Sequence, residues 1–269
     1  VIGSHVFTAL AMAAALSAPG YAFGQASLSL AESRSNVTVY AGGLDVTKGF
    51  ENRNYAGIFY NQYFGSVGVH ADIVGIRREE DSGFATVGMS WDAAKGVRPK
   101  VMIGTSTSNL DIHPEVYVSA QAQIRPTADT RTIVTPSITY RKFRTGAEEV
   151  IPGVDAVYYF SIPADTTGYY VAQAGANVVL GEADDTGYSV GMGLQTVRAN
   201  GLSFGAYVEA GSLAYDSLIG EGVQTDFYSV RPALGLRFTP ETEVFFRGEY
   251  THTDFYEASG LLVGFKLTF

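Results

Sequence analysis

The sequence predicts an all-β protein: a single antiparallel up-and-down transmembrane β-barrel of about fourteen strands, with twelve and sixteen as alternatives. Three observations carry this. Apolar and polar residues alternate with period two from Asn36 onward. Short turns alternate with longer, acidic loops. The chain closes on an alternating strand with an aromatic terminus, Phe269.

The alternation is clearest in three runs. Tyr188, Val190, Met192 and Leu194 interleave with Ser189, Gly191, Gly193 and Gln195. Leu202 to Glu209 and Val116 to Ile124 repeat the pattern. Successive strand residues point to opposite faces, so each run sets an apolar face against a polar or tiny one. Fourteen such runs are centred near Val39, Phe59, Ala71, Val87, Ile103, Ala120, Ile138, Tyr158, Ala174, Met192, Ala206, Ala233, Arg247 and Phe265.

The expected short turns are Gly65-Ser66, Asp92 to Gly96, Arg125 to Thr130, Pro163 to Gly168, Arg198 to Gly201 and Thr239 to Thr242. The expected longer loops are Leu44 to Asn54, Arg77 to Gly83, Ser106 to Pro114, Thr145 to Gly153, Gly181 to Gly187, Ala214 to Asp226 and Thr251 to Gly260. That asymmetry is typical of barrels in a bacterial outer membrane, whose turns face the periplasm and whose loops face outside. An even strand number then leaves both termini periplasmic. Aromatic girdles are expected at both interfaces. Phe64, Trp91, Tyr169, Tyr170, Phe204, Phe238 and Phe245 lie near turns; Tyr55, Phe84, Phe143, Tyr188, Phe227, Tyr250 and Phe255 lie near loops.

Val6 to Leu16 forms an uncharged apolar run, too short to span a bilayer as a helix. Small residues follow it, so residues 1–26 are expected to be a signal peptide cleaved after Ala26, with Ala22 as the alternative. Residues 27–269 then form the barrel. No later stretch is long and apolar enough for a spanning helix, which leaves a closed barrel as the route into a membrane.

Composition narrows the function classes. A net charge of -9 argues against nucleic-acid binding. The absence of cysteine removes disulfide frameworks and thiol nucleophiles. Ser189 and Ser203 sit in G-x-S-x-G matches inside alternating strands, where a nucleophile elbow would need a strand-turn-helix context. His70 shares a face with Asp72, His113 lies in a loop and His252 at a loop base, without metal-ligand spacing. The expectation is therefore no enzyme, no catalytic residue, no cofactor and no metal site. The clusters Glu79-Glu80-Asp81, Glu148-Glu149 and Asp184-Asp185 read as solvated loop surface and lack the ligand spacing of a calcium loop.

The polar faces are more informative. Arg231, Arg237, Arg247, Glu249 and Lys266 are expected to point inward from adjacent strands, with Lys100, Arg125, Arg141, Asp72 and Glu209 inward elsewhere. A cationic side chain facing lipid at mid-depth would cost about 2–4 kcal/mol. These residues make either a basic wall that biases a pore toward anions or a paired ionic network filling a closed lumen. Leu261, Val263, Phe265, Leu267 and Phe269 form the expected assembly strand, which resembles the C-terminal signal read by the barrel-assembly machinery.

Over most of its length the chain also resembles the YaiO-type outer-membrane β-barrel family. The resemblance rests on Asn52-Arg53-Asn54-Tyr55, on Thr135 to Phe143, and on the Gly260 to Phe269 strand after a turn at Pro240. It implies a single barrel in the outer membrane, in contact with lipid and lipopolysaccharide, in a family some of whose members accompany polysaccharide-export components. It supplies no catalytic residues. The leading expectation is a pore or conduit for small polar or anionic solutes or surface glycans. The alternative is a non-conducting accessory barrel linked to exopolysaccharide export, and the third is a lipid-modifying enzyme.

Overall fold

The computed structural model describes residues 34–50, 52–77, 81–107, 113–126, 131–162, 168–181, 186–213 and 225–269. The expected signal peptide and the acidic pairs Glu79-Glu80 and Asp184-Asp185 lie outside them.

Fourteen strands follow one another: β1 (Asn36–Val46), β2 (Arg53–Phe64), β3 (Val67–Arg77), β4 (Asp81–Trp91), β5 (Val97–Ser106), β6 (Val116–Ile124), β7 (Thr132–Lys142), β8 (Glu148–Phe160), β9 (Gly168–Gly181), β10 (Thr186–Arg198), β11 (Leu202–Leu213), β12 (Thr225–Arg237), β13 (Thr242–Thr253) and β14 (Glu257–Thr268). Each pairs antiparallel with its neighbours in sequence, and β1 closes on β14 with Asn36 opposite Thr268 and Val46 opposite Ala258. The barrel has no free edge, so no strand is left with an unpaired side, as a bilayer requires. All fourteen expected strand centres fall inside these strands. The start of β1 and the end of β14 share one end of the barrel, called here the terminal end.

The outer face is apolar. Ile58, Ile73, Val87, Ile103, Val190, Met192, Leu194 and Leu261 are each exposed. Among the described residues, outward charges occur only at strand ends: Asp45, Arg77, Asp81, Lys142, Glu148, Arg198, Asp226 and Glu257. This is the belt a lipid-facing surface needs. Phe64, Phe204, Phe238 and Phe269 ring its terminal end, and Tyr188, Tyr228 and Phe255 ring the other.

Two expectations are corrected. Most connections at the far end are shorter than the sequence suggests, because antiparallel pairing continues beyond the apolar belt. The expected loop Thr251 to Gly260 is a tight hairpin. Thr253 N donates to the Tyr256 carbonyl at 2.9 Å, and the Thr253 hydroxyl accepts from Phe255 N and Tyr256 N. Each added rung satisfies backbone groups that a loop would leave to solvent. Second, Tyr55, Phe84, Phe143, Phe227 and Phe245 are buried rather than set in the girdles.

Candidate functional site

The inner face explains those aromatics. Tyr55 extends over Gly42 of β1, Tyr40 over Gly57 of β2, Phe245 over Gly264 of β14, and Tyr207 over Gly191 and Gly193 of β10. A Cβ added at Gly193 would lie 2.8 Å from the Tyr207 ring, and one at Gly68 would lie 2.7 Å from Tyr63. Glycine on the neighbouring strand therefore provides the recess in which each ring lies flat against the wall. The rings bury apolar area without having to stand across the barrel.

Charged groups fill the positions between them. Arg231 (β12) is buried and paired on both sides, with Glu209 of β11 at 3.1 Å and Glu249 of β13 at 3.6 Å. Arg141 (β7) pairs with its register partner Glu149 of β8, both buried. Lys266 stands opposite Glu243, and Arg237 reaches the same carboxylate at 4.0 Å. The Arg247 guanidinium lies 4.6 Å over the Phe245 ring, a cation–π contact, and its Nη2 has no hydrogen-bond partner among the described residues.

Arg231, Arg247 and Lys266 are thus buried on the inner face, with Glu249 beside Arg231. Arg237 is half-buried at the terminal end. Lys100, Arg141, Asp72 and Glu209 are inward and buried as expected. Arg125 is exposed at the end of β6, because the strand ends at Ile124 and the chain turns there. The structure also adds residues that sequence reasoning passed over: Arg53, Glu149, Asp155 and Glu243 are all buried and inward. Glu149 reads as loop from the sequence because it adjoins a second carboxylate, Glu148, at the start of β8. Asp155 lies in β8, where inward Ile151, Val157 and Tyr159 against outward Val154 and Tyr158 blur the alternation.

His70 sits in a hydrogen-bonded chain, not against Asp72. Its Nδ1 meets Asn61 Oδ1 and its Nε2 meets Ser90 Oγ at 2.9 Å. The order hydroxyl–imidazole–amide resembles a nucleophilic relay. All three side chains, however, are at most 3% exposed, with Tyr63 packed edge-on to the imidazole. The chain braces β2, β3 and β4 near the terminal end. Ser189 and Ser203 are buried inside β10 and β11, with no helix beside either among the described residues.

At the far end, His113 turns inward from the β5–β6 connection. It stacks on Phe84 with ring centroids 5.0 Å apart, and Ser106 Oγ donates to its carbonyl at 3.3 Å. Burial, reinforced by the Arg53 guanidinium, pushes its imidazole down to about 3. His252 faces Glu257 across the last hairpin at 3.3 Å. On the outer surface a groove of 610 Å³ is bordered by Gly43, Val230, Pro232, Gly248, Tyr250 and Leu261. It lies where the β12–β13 ladder skips from Val230–Tyr250 to Ala233–Arg247, since Pro232 has no N–H to donate. Among the described residues no three His, Cys, Asp or Glu side chains converge as a metal set.

A closed fourteen-stranded barrel with an apolar outer belt and a charged inner wall is an outer-membrane-type barrel. Solved structures share this architecture. The chain superimposes on the Acinetobacter baumannii outer membrane protein Omp33 with a TM-score of 0.53 at 14% identity, covering 88% of this chain and 99% of that one. It superimposes on a bacterial polysaccharide outer membrane secretin with a TM-score of 0.56 at 8% identity, covering 89% and 99%. No family model matches the chain, and no curated protein does.

Proposed function

We propose that the protein is an outer-membrane conduit for small polar solutes, inserted with both termini in the periplasm. The observation that carries this is the inner wall: charged, amide and hydroxyl side chains alternate with apolar patches around it, and several of its rings are seated over glycines of the neighbouring strand. Eight strands leave an interior just wide enough for side chains to fill; fourteen enclose more. A purely structural barrel would gain stability from an apolar interior, whereas desolvating Arg231, Glu209 and Glu249 costs several kcal/mol per ion before pairing.

Selectivity rests on charge that is not locally cancelled. Arg231 is offset by two carboxylates, so the surplus positive charge lies where Arg247, Lys266 and Arg237 share the single carboxylate of Glu243 on β12 to β14. The bias is therefore moderate and anionic on that wall. The alternative, an accessory barrel serving polysaccharide export, draws on the YaiO-type resemblance and on the likeness to the polysaccharide secretin, which at 8% identity extends to the fold alone.

The deciding experiment is single-channel recording of the purified barrel in planar bilayers. Discrete conductance steps with a reversal potential on the anion side support the conduit. A folded barrel that carries no current would overturn it and leave the paired ionic network as filling for a closed structural barrel.

A further inference from the structure

The wall formed by β8 to β11 carries a group of oxygen atoms that the conduit reading does not use. Asp155, Gly175, Gly191 and Glu209 lie in register across four strands and face inward. The two glycines make a bare floor between the two carboxylates. The Asp155 carboxylate reaches over Gly175, and the Tyr207 hydroxyl reaches over Gly191. Since Gly175 and Gly191 are register partners about 4.8 Å apart, these groups converge on one spot.

Two buried amide side chains border the group. Gln173 and Asn177 flank Gly175 on the same face of β9. Asn177 Nδ2 donates to Ser189 Oγ at 3.4 Å, and Gln173 directs its Nε2 toward Gly193, so both –NH2 groups are turned to β10. Asp155 Oδ2, Glu209 Oε1, Gln173 Oε1 and Asn177 Oδ1 are each buried without a hydrogen-bond partner among the described residues. The four residues are between 2% and 9% exposed. Buried acceptors normally find a donor, and each one left alone carries a desolvation penalty.

The charge balance points the same way. Glu209, Arg231 and Glu249 form one ion-paired network with a net charge of -1. Asp155, which has no ion pair among the described residues, brings the wall to -2 once it is ionised. A hard divalent ion would cancel that charge. Carboxylate and amide oxygens without imidazole or thiolate are the ligand set calcium prefers, with water completing six to eight positions. We infer that Asp155, Glu209, Gln173 and Asn177 form a divalent-cation site of the calcium class on the inner wall. Gly175 and Gly191 are needed there because a side chain at either would occupy the space used by Asp155 or Tyr207.

The site is independent of conduction, so its test uses binding. Folded barrel in detergent, stripped with EDTA and titrated with calcium chloride by calorimetry at neutral pH, should show saturable one-to-one binding. Asp155→Asn should weaken it at least tenfold, and Asp254→Asn in the last hairpin should leave it unchanged. Wild-type protein without saturable binding would overturn the inference, as would equal affinity in Asp155→Asn and Glu209→Gln. Heat-modifiable gel mobility reports whether each variant folds. Should the carboxylate variants not fold, tyrosine-sensitised terbium emission from the wild type decides. Calcium should compete it away, and Tyr207→Phe should lower it more than twofold. Emission that calcium does not displace, or that Tyr207→Phe leaves intact, counts against the site.

Discussion

Met192 is the midpoint of β10, and at 62% exposure it is among the most exposed apolar residues of the outer belt. Its register partners Ala174 and Val208 also face outward, so an arginine there has no nearby polar group to reach. Placing the cation at mid-depth should cost about 2–4 kcal/mol. At 1.4 kcal/mol per tenfold change this is roughly a 30- to 700-fold shift toward the unfolded state. Leu180 of β9 is on the same face but at the far rim, opposite Thr186. Leu180→Arg should cost only about 0–1 kcal/mol, because the guanidinium meets headgroups and water. Urea unfolding in liposomes, followed by fluorescence of Trp91, the single tryptophan, measures both. Equal losses in the two variants, or no loss in Met192→Arg, would show that this face does not meet lipid or that depth is misassigned.

Four further outcomes follow from the inner wall and the termini. Arg231→Gln strands Glu209 and Glu249 and should cost about 3–5 kcal/mol in the same unfolding assay; a neutral effect would break the network. Arg247→Gln should fold normally and shift the reversal potential toward cations, and an unchanged potential would remove this residue from selectivity. Deleting Phe269 or introducing Phe265→Asp should lower the heat-modifiable barrel recovered from outer membranes, whereas normal recovery of Phe265→Asp would mean the strand's faces are reversed. His113 has a folded pKa of about 3, below the roughly 6.5 of an unfolded histidine. Its contribution to stability is therefore complete above about pH 6.5 and declines as pH falls toward 3, by up to about 1.4 kcal/mol per unit. His113→Gln should flatten that decline, and an identical acid profile in both proteins would refute it.

The fourteen strands were legible because lipid on one side and polar groups on the other force strict alternation, as Val190, Met192 and Leu194 against Ser189, Gly191 and Gly193 show. The inward placement of Arg231, Arg247 and Lys266 followed from the same rule. What the alternation does not encode is how inward side chains divide the interior. Phe245 and Tyr55 looked like girdle residues from their closeness to strand ends, and only the facing Gly264 and Gly42 reveal that they lie inside. Partnership in the network was also hidden. Glu209, Arg231 and Glu249 are distant in sequence and meet only when register is fixed. Loop length was overread because charge and polarity mark Glu149 and Thr251 as loop-like, although both are buried strand positions.

The pairing of inward rings such as Tyr207 and Phe245 with glycines one strand away makes the filling of the interior an adjustable property of this wall. Tyr207 can lie flat only while Gly191 and Gly193 remain without side chains, and Phe245 only while Gly264 does. A single methyl group on the neighbouring strand would push the ring off the wall toward the barrel axis. Strand number, register and outer surface would stay as they are. The filling of the interior can thus drift by point substitution at the recess, and a ring and its glycine must be exchanged together for the original packing to be kept.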